Sequence, residues 1–372
     1  MNVVIAKVYP VSKRIPMALP NLNALTRSEL AETLENHQQP KFRTDQVLDW
    51  LWKKRVRSIE EMSNLPAKLR EVLTEEFSMV PPSPVGVLKS SDTTQKALFK
   101  LKDGRYVESV LIPASQALYG EKSDRLTLCV SSQVGCAYGC KFCASGLAGF
   151  SRNLTPDEIA GQVVEVERAT GQRVNNMVFM GMGEPLANIN NLLKALELIT
   201  QPWGIGIGAR HLTISTSGLV PQIKKLADHP QQIRLAISLH GATDEVRNKI
   251  MPVNKKWGVD ELFDALEYWN ERKKQRLTLE YILIQGVNDS EKDAKTLASK
   301  AKRIQAKVNL IPYNTVEGLE WIRPSDERCR RFKSILTSAG VTATLRTEKG
   351  HDIEAACGQL RLKKETEEGI IT

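Results

Sequence analysis

The pattern of apolar and polar residues divides this 372-residue chain into three parts. Between Thr26 and Phe77, apolar residues recur every three or four positions, which is the spacing of amphipathic helices. Residues 1–20 lack this period and are expected to form an irregular tail. The helices of the small N-terminal unit are predicted at Ser28–Asn36, Arg43–Lys54, Ser58–Met62 and Pro66–Phe77.

A second pattern runs from Val85 to Pro113, where apolar and polar residues alternate as they do in short strands. Asp103-Gly104 within this segment is typical of a hairpin turn. The proline-rich run Pro81–Pro84 predicts a hinge in front of the strands. We therefore expect a short β extension between the helical unit and the rest of the chain.

From Leu126 onward, apolar runs of strand length alternate with helical stretches. The first of these helices has a clear start, because Thr155, Pro156 and Glu158 form a capping box. Strands are predicted at Leu126–Ser131, Met177–Met180, Leu212–Thr216, Leu235–Leu239, Leu277–Ile284 and Val308–Pro312. Helices are predicted at Pro156–Thr170, Asn191–Thr200, Pro221–Ala227, Val259–Lys273 and Glu291–Arg303.

Six β/α units in series predict a parallel sheet, either open or curled into a partial barrel. The expected fold class is α/β: a partial (β/α)6 barrel with a small N-terminal helical accessory domain and a short β extension. The expected boundaries are 1–20 for the tail, 21–80 for the helical domain, 85–125 for the β extension, 126–320 for the barrel, 321–362 for a final helix (Ser325–Ala339), strand and cysteine-containing loop, and 363–372 for a polar tail.

The charge balance indicates which class of partner the protein binds. Lys and Arg number 52 against 43 Asp and Glu, a net charge of +9, which favours nucleic acid over an ordinary basic protein without such a partner. No stretch approaches the roughly 18 apolar residues of a membrane span, and no secretory signal is apparent. The 6 cysteines are therefore expected as reduced thiols in a cytoplasmic protein.

The candidate chemistry centres on Cys136, Cys140 and Cys143, which follow the first predicted barrel strand. Such folds place reactive groups in the loops at the carboxyl ends of their strands. A closed zinc site needs four ligands, and the nearest downstream candidates, His211 and His240, are remote, so an iron–sulfur cluster is favoured over zinc. A [4Fe–4S] cluster with three cysteine ligands leaves one iron open to S-adenosylmethionine, a route to radical chemistry.

Polar segments also end the later strands, at Met180–Pro185, Ser215–Gly218, Ser238–His240 and Asn314. Taken singly, each is as well explained as an ordinary turn or a satisfied strand end. Taken together, they can face one cavity. Three further cysteines are Cys129, Cys329 and Cys357; a lone cysteine is more often a buried apolar residue than a nucleophile, although glycines around Cys357 indicate a loop.

Five motifs in order resemble the RlmN/Cfr family of radical S-adenosylmethionine enzymes from about Leu22 to Leu360. They are the cysteine triplet with Phe142 beside its third member, Met-Gly-Met-Gly-Glu-Pro185, Ser-Thr-Ser-Gly218, Ile-Ser-Leu-His240 and Asp-Ile-Glu-Ala-Ala-Cys-Gly-Gln-Leu360. The resemblance implies one [4Fe–4S] cluster and two S-adenosylmethionine molecules per turnover. It implies cofactor contacts at Gly183, Glu184, Ser215, Ser238, Leu239, His240 and Asn314.

The resemblance also implies methylation of C2 of an adenosine in the peptidyl transferase centre of 23S rRNA. Cys357 is methylated first, and a radical from a second S-adenosylmethionine then activates that methyl group. The methylene radical adds to adenine and forms a covalent protein–RNA adduct. Glu108 matches the proposed general base, and Cys129 attacks Cys357, which releases the RNA and leaves a disulfide.

Several alternatives stay open. Methylation at C8 is the nearest one, and Pro185 favours C2; a non-catalytic iron–sulfur or zinc protein that binds RNA is a different class. A tRNA adenosine beside the anticodon is a second expected substrate, with a reductant such as flavodoxin or ferredoxin and a monomeric enzyme. Phe42-Arg43 and Trp50 match the family's RNA-binding accessory domain, and the run Lys53–Arg57 reads either as a phosphate contact or as a solvated helix face. Segments 114–124 and 318–326 depart from the family pattern.

Overall fold

The computed structural model describes residues 19–114, 123–147, 149–314, 319–346 and 359–369. Its N-terminal unit contains α1 (Arg27–Asn36), α2 (Phe42–Leu48), a π-helical continuation (Asp49–Lys54) and α3 (Ala67–Glu76). The helix predicted at Ser58–Met62 is wrong, because this segment forms turns. The backbone N–H groups of Arg57 and Ser58 donate to the Glu61 side chain at 2.9 and 3.0 Å, so a local side-chain contact competes with helix formation.

Within the described residues, ten strands form one sheet and two form a separate hairpin. The sheet runs β1 (Ser83–Lys89), β2 (Gln95–Lys100), β3 (Tyr106–Pro113), β4 (Leu126–Cys129), β7 (Asn176–Phe179), β8 (Leu212–Thr216), β9 (Arg234–Ser238), β10 (Thr278–Leu283), β11 (Lys307–Pro312) and β12 (Ala343–Leu345). The hairpin is β5 (Gln133–Gly135) with β6 (Phe150–Asn153).

Helices follow the strands of the sheet. They are α4 (Ala144–Leu147), α5 (Pro156–Thr170), α6 (Ile189–Thr200), α7 (Val220–Asp228), α8 (Asp244–Ile250), α9 (Val259–Lys273), α10 (Glu291–Arg303), α11 (Asp326–Ser338) and α12 (Gln359–Glu367). The capping box of α5 is present, and the Glu158 carboxylate accepts the Thr155 N–H at 3.0 Å. No helix in the described part of the chain is both long and apolar enough to cross a membrane.

The strands from β4 to β12 in the main sheet pair in parallel, while β1, β2 and β3 form an antiparallel extension joined to β4. The predicted α/β fold, a partial barrel with a β extension, is therefore confirmed. The predicted hinge is partly wrong, because β1 begins at Ser83. Pro84 is tolerated there because β1 is an edge strand, where a missing N–H costs no ladder hydrogen bond.

The C-terminal tail expected at 363–372 is also partly wrong, because α12 extends to Glu367. Arg361 and Glu365 are four residues apart on this helix and form an ion pair at 2.7 Å with both side chains buried. The Glu365 carboxylate also accepts the backbone N–H of Tyr106 on β3 at 3.1 Å. A segment with polar composition is thus a helix because its charges pair with each other and with the sheet.

The basic run that follows α2 docks the N-terminal unit against the barrel. Arg55 pairs with Glu167 at 2.7 Å and Arg57 pairs with Glu165 at 2.8 Å, both on α5. The Lys53 ammonium donates to the carbonyl of Gly204 at 3.0 Å. Three of the four cations in this run thus bind the barrel, whereas Lys54 is half exposed and pairs with Asp49 of the N-terminal unit at 3.4 Å. The solvated-face alternative therefore holds only for Lys54.

Candidate active site

A cavity of about 280 Å³ opens at the carboxyl ends of the parallel strands. Its walls bring together predicted residues from distant parts of the chain, namely Cys136, Cys140, Cys143, Gly183, Glu184, Ser215, Ser238 and His240. The three cysteines stand on one side, and the strand ends stand on the other. This is the edge at which parallel α/β sheets and barrels place their reactive groups.

The cysteine loop is held at its base by the β5–β6 hairpin. Gly135 has φ of 76°, and a Cβ there would lie 1.9 Å from the carbonyl oxygen of Gly149, so only glycine fits. The same carbonyl accepts the Cys136 N–H at 3.0 Å. On the far side of the loop, the Lys141 N–H donates to the Ile250 carbonyl at the end of α8 at 2.9 Å.

The three thiols fit a cluster better than a single ion. No group of three or more His, Cys, Asp or Glu side chains within the described residues is arranged to hold one metal ion. Thiolates that bind different irons of a [4Fe–4S] cluster stand farther apart than the ligands of one ion. Burial raises the pKa of Cys136 to about 11, and the charges of Cys143 and Glu184 add to this rise. Thiolates in this wall therefore need a compensating positive charge, which iron supplies.

The Met180–Pro185 turn packs directly on the strand before the cysteines. Gly183 has φ of 94°, and a Cβ there would lie 2.5 Å from the Cβ of Gln133. The N–H of Glu184 donates to the Gln133 side chain at 2.8 Å, and the Glu184 carboxylate accepts the N–H groups of Ser217 at 2.7 Å and Leu186 at 3.0 Å. Burial raises the pKa of Glu184. The carboxyl is thus fixed in the wall, beside a glycine whose lack of a side chain lets Gln133 pack against the turn.

His240 follows β9 and is buried in the wall across from the cysteines, with a φ of 55°. Its Nδ1 accepts the backbone N–H of Ile282 at 3.0 Å, so the neutral ring carries its hydrogen on Nε2. Burial, assisted by the charge of Arg247, lowers the pKa of His240 to about 3. Its ring and that of Phe142 in the cysteine loop meet nearly at right angles, with 4.8 Å between centroids. The neutral His240 ring is therefore available as a hydrogen-bond donor next to the cysteines.

The two faces of the parallel sheet differ in character. One face carries fully buried apolar residues, such as Met177, Leu212 and Ile214, beneath the helices. The other face lines the cavity with polar residues, of which Ser215 and Ser238 lie 3.4 Å apart between their hydroxyl oxygens. A large polar surface on the inner face is what a binding cavity requires and a packed core avoids.

Strand register places two further predicted residues on this inner face. Cys129 pairs with Val178 on β7, and the pairing continues through β8 and β9 to the face that holds Ser215. Because paired residues share a face, Cys129 projects toward the same side. Val110 on β3 is opposite Cys129, so Glu108, two residues away on β3, shares that face as well.

Glu108 is fully buried, and its carboxyl contacts two neighbouring elements. Its Oε2 lies 2.9 Å from the Lys96 ammonium on β2, and its Oε1 accepts the Arg361 N–H from the first turn of α12 at 2.6 Å. Ser131, just before the cysteine hairpin, donates its hydroxyl to the Glu108 carbonyl at 2.7 Å. The Glu108 carboxyl is therefore tied to β2 and to the C-terminal helix, and its backbone carbonyl is tied to the segment that leads to the cysteines.

Within the described part of the chain, Cys129 and Glu108 share the inner face without lining the cavity itself, and Leu239 and Asn314 do not line it either. Leu239 packs its side chain into the core, and its backbone N–H donates to the Glu280 carbonyl at 3.0 Å. Asn314 is exposed after β11. Cys357 lies outside the described residues, as do most of segment 114–124 and the first residue of segment 318–326.

Sequence reasoning missed several charged groups at or behind the cavity, among them Arg346, Glu280 and Arg247. Glu280 on β10 is buried in the cavity wall, where Asn309 donates to it at 2.7 Å; burial raises its pKa. Arg247 on α8 is 0% exposed and donates to the carbonyls of Leu239 and Ser217 behind the cysteines. In the sequence, Glu280 could have been noticed as a carboxylate inside an otherwise apolar strand. Nothing in the sequence pointed to Arg247, because α8 was not predicted.

Comparison with known proteins agrees with this arrangement. The radical SAM superfamily model matches residues 130–298, and a model described as the ribosomal RNA large subunit methyltransferase N-terminal domain matches residues 20–79. Radical SAM proteins use a [4Fe–4S] cluster and S-adenosylmethionine, so the predicted cofactors are confirmed.

Three relatives cover nearly the whole chain. Akkermansia muciniphila has a protein named probable dual-specificity RNA methyltransferase RlmN that is 61% identical over 349 residues, 94% of this chain and 97% of the relative. One named RlmN 3 from Opitutus terrae is 50% identical, with 95% and 97% covered. The crystal structure of a radical SAM methyltransferase from Sphaerobacter thermophilus is 40% identical, with a TM-score of 0.84 over 91% of this chain and 98% of that one. The chain gathers three cysteines and the strand ends around one cavity. Together with this arrangement, the matches show that the chain belongs to the RlmN family of radical S-adenosylmethionine RNA methyltransferases.

Proposed function

We propose that this chain methylates C2 of an adenosine in the peptidyl transferase centre of 23S rRNA. One observation carries the proposal beyond the family assignment: Glu108 and Cys129 share a sheet face with the serines of the cofactor cavity. A base and a thiol at such positions are the groups that a reaction through a protein–RNA adduct needs. Neither is needed for direct methyl transfer to a good nucleophile.

The cofactors are assigned to the cavity walls. Cys136, Cys140 and Cys143 would hold the cluster, and the opposite wall would bind S-adenosylmethionine through Gly183, Glu184, Ser215, Ser238 and His240. When bound, this pair supplies one-electron cleavage of a sulfonium and thereby hydrogen abstraction. The Glu184 carboxylate suits the cationic end of that ligand, and the neutral His240 donates a hydrogen bond without adding charge. Leu239 and Asn314 keep their proposed contacts through backbone and loop positions, respectively.

The remaining roles belong to the chain's own residues. Cys357 carries the methyl group and becomes linked to the adenine ring. Glu108 takes the proton from the ring carbon, and the adduct radical passes one electron to the oxidised form of a one-electron carrier. Cys129 then attacks the Cys357 sulfur; the C–S bonding pair leaves with the methylene carbon, which is protonated to a methyl group as the disulfide forms. The position of Arg361 supports this assignment, because it contacts Glu108 and follows Cys357 by only four residues.

The proposal extends to substrates and partners. The names of the relatives include dual specificity for RNA, which supports a tRNA adenosine beside the anticodon as a second substrate. The target base must leave its stack to reach the cavity. We further propose a monomer that acts in the cytoplasm, with a one-electron reductant of the flavodoxin or ferredoxin type.

The test removes the Cys129 thiol, which is proposed to attack Cys357 and release the RNA. Reconstituted Cys129→Ala protein, incubated with rRNA, S-adenosylmethionine and reductant, is expected to accumulate a covalent RNA adduct through Cys357. The matched control is Cys329→Ala, which removes another buried cysteine on α11, far along the chain from the cluster loop. This control should release methylated RNA as the parent does. Protein free of RNA after turnover of Cys129→Ala would overturn the two-thiol mechanism.

A further inference from the structure

The inner face of the β extension holds a buried ion pair between Lys96 and Glu108. Lys96 on β2 and Glu108 on β3 are both 0% exposed, and their charged atoms lie 2.9 Å apart. Burying such a pair costs desolvation that the mutual attraction often fails to offset, so a buried salt bridge is weak evidence for a stabilising role. The presence of this pair beside the cofactor cavity therefore needs an explanation other than stability.

The register shows what surrounds the pair. Lys96 is opposite Val110 on β3, and Val110 is opposite Cys129 on β4, so the three residues form a row across the strands. Glu108 is the next residue of β3 on the same face. The ammonium, the carboxylate and the thiol therefore lie on one small area of the sheet.

The two oxygens of Glu108 have different partners. Oε2 faces Lys96, while Oε1 accepts the N–H of Arg361 on α12. The guanidinium of Arg361 is turned to Glu365 at 2.7 Å, so the charge of Arg361 is already paired within α12. Among the described contacts of Glu108, Lys96 brings a full positive charge directly to the carboxylate.

We propose that Lys96 is a positioning residue for the proposed base Glu108: its ammonium keeps this buried carboxylate ionised and oriented for proton transfer from the RNA adduct. This inference rests on the proposed function. In the step concerned, the proton of the adenine C–H bond passes to a Glu108 oxygen, and the bonding pair stays with the ring. A buried carboxyl without a compensating cation takes up a proton instead, and a protonated carboxyl cannot accept another.

A double-mutant cycle separates action through Glu108 from a general packing role. Lys96→Met should leave formation of 5′-deoxyadenosine and of the adduct within about twofold of the parent, because those steps precede the proton transfer. Release of methylated RNA should fall by roughly 100-fold or more, as it should in Glu108→Gln. Lys96→Met in the Glu108→Gln background should slow release no further, and Lys96→Arg should recover part of the rate. Lys89→Met, on the exposed edge strand, is the matched control.

A second readout does not depend on turnover. Infrared spectra of reconstituted Lys96→Met protein should show the C=O stretch of a protonated carboxylic acid that is absent from the parent. The band should also disappear in the Lys96→Met, Glu108→Gln double variant, which assigns it to Glu108.

The outcomes distinguish the inference from the proposed function. Normal RNA release by Lys96→Met, or additive slowing in the double variant, would overturn the role of Lys96. Normal release by Glu108→Gln would instead overturn Glu108 as the base, and the infrared band would still report the ion pair. A Lys96→Met protein without the carboxylic acid band contradicts the charge argument.

Discussion

Asp157 offers a quantitative test of how the barrel and the N-terminal unit are packed. It lies in the first turn of α5, is 6% exposed, and its Oδ1 has no hydrogen-bond partner among the described residues. Burial raises its pKa from 3.8 to about 6; a hydrogen bond with Thr155 opposes this rise, and the neighbouring Glu158 adds to it. Asp157→Asn keeps the shape of the side chain and removes the charge.

The sign follows from proton linkage. The folded protein holds the Asp157 proton up to about pH 6, whereas the unfolded chain releases it near pH 3.8. Stability therefore falls as the pH rises through this window, and the loss is complete above it. A shift of this size corresponds to about 3 kcal/mol, since one pKa unit is worth about 1.4 kcal/mol. Asp157→Asn should be more stable than the parent by up to this amount at pH 7.5 and about equal to it below pH 4.

The assay is urea unfolding of the cluster-free parent and variant at a series of pH values between 3.5 and 8, a range chosen to bracket the linkage window. Asp103→Asn is a control of opposite sign, because the Asp103 carboxylate pairs with Arg152 at 2.6 Å. Burial alone would raise the pKa of Asp103, but the contact with Arg152 outweighs it and lowers that pKa. This control should lose stability at neutral pH. A stability difference for Asp157→Asn that does not change with pH would refute the reasoning.

Three further predictions concern the cavity. Gly183→Ala should weaken S-adenosylmethionine binding at least tenfold by calorimetry while iron and sulfide content stay unchanged, because its Cβ would meet Gln133 at 2.5 Å; equal affinity would contradict the close packing. Arg247→Met should lower the free energy of unfolding by at least about 3 kcal/mol, because several buried carbonyls lose their donor, and an unchanged urea midpoint would exclude this role. Since the pKa of His240 is about 3, no ionisation of His240 should alter S-adenosylmethionine affinity between pH 6 and 8; a step in the parent that His240→Gln abolishes would show otherwise.

The long helices and central strands were predictable because their signals are local. The helices predicted at Pro156–Thr170, Val259–Lys273 and Glu291–Arg303 have the observed bounds. The residues that cap these helices adjoin them in the sequence; Ser290 is an example, because its hydroxyl accepts the Asp293 N–H at 3.1 Å. The three cysteines were likewise visible as a spacing.

The elements that sequence reasoning missed depend on contacts distant in the chain. Helix α12 is mostly polar, and it is recognisable only once Glu365 is seen to accept the Tyr106 N–H. Lys96 looked like one more strand lysine until the register brought it to Glu108. Side chains whose meaning depends on pairing between strands cannot be identified from spacing along one strand.

Methylation at C2 of the base is the chemistry that sets the proposed activity apart from methylation at C8. The most direct measurement is mass spectrometry of nucleosides from rRNA that the reconstituted protein has modified with S-adenosylmethionine carrying a deuterated methyl group. We expect labelled 2-methyladenosine from the peptidyl transferase centre, with two deuterium atoms from the methyl group retained because one is abstracted. Labelled 8-methyladenosine, or a methyl group that keeps all three deuterium atoms, would contradict this expectation.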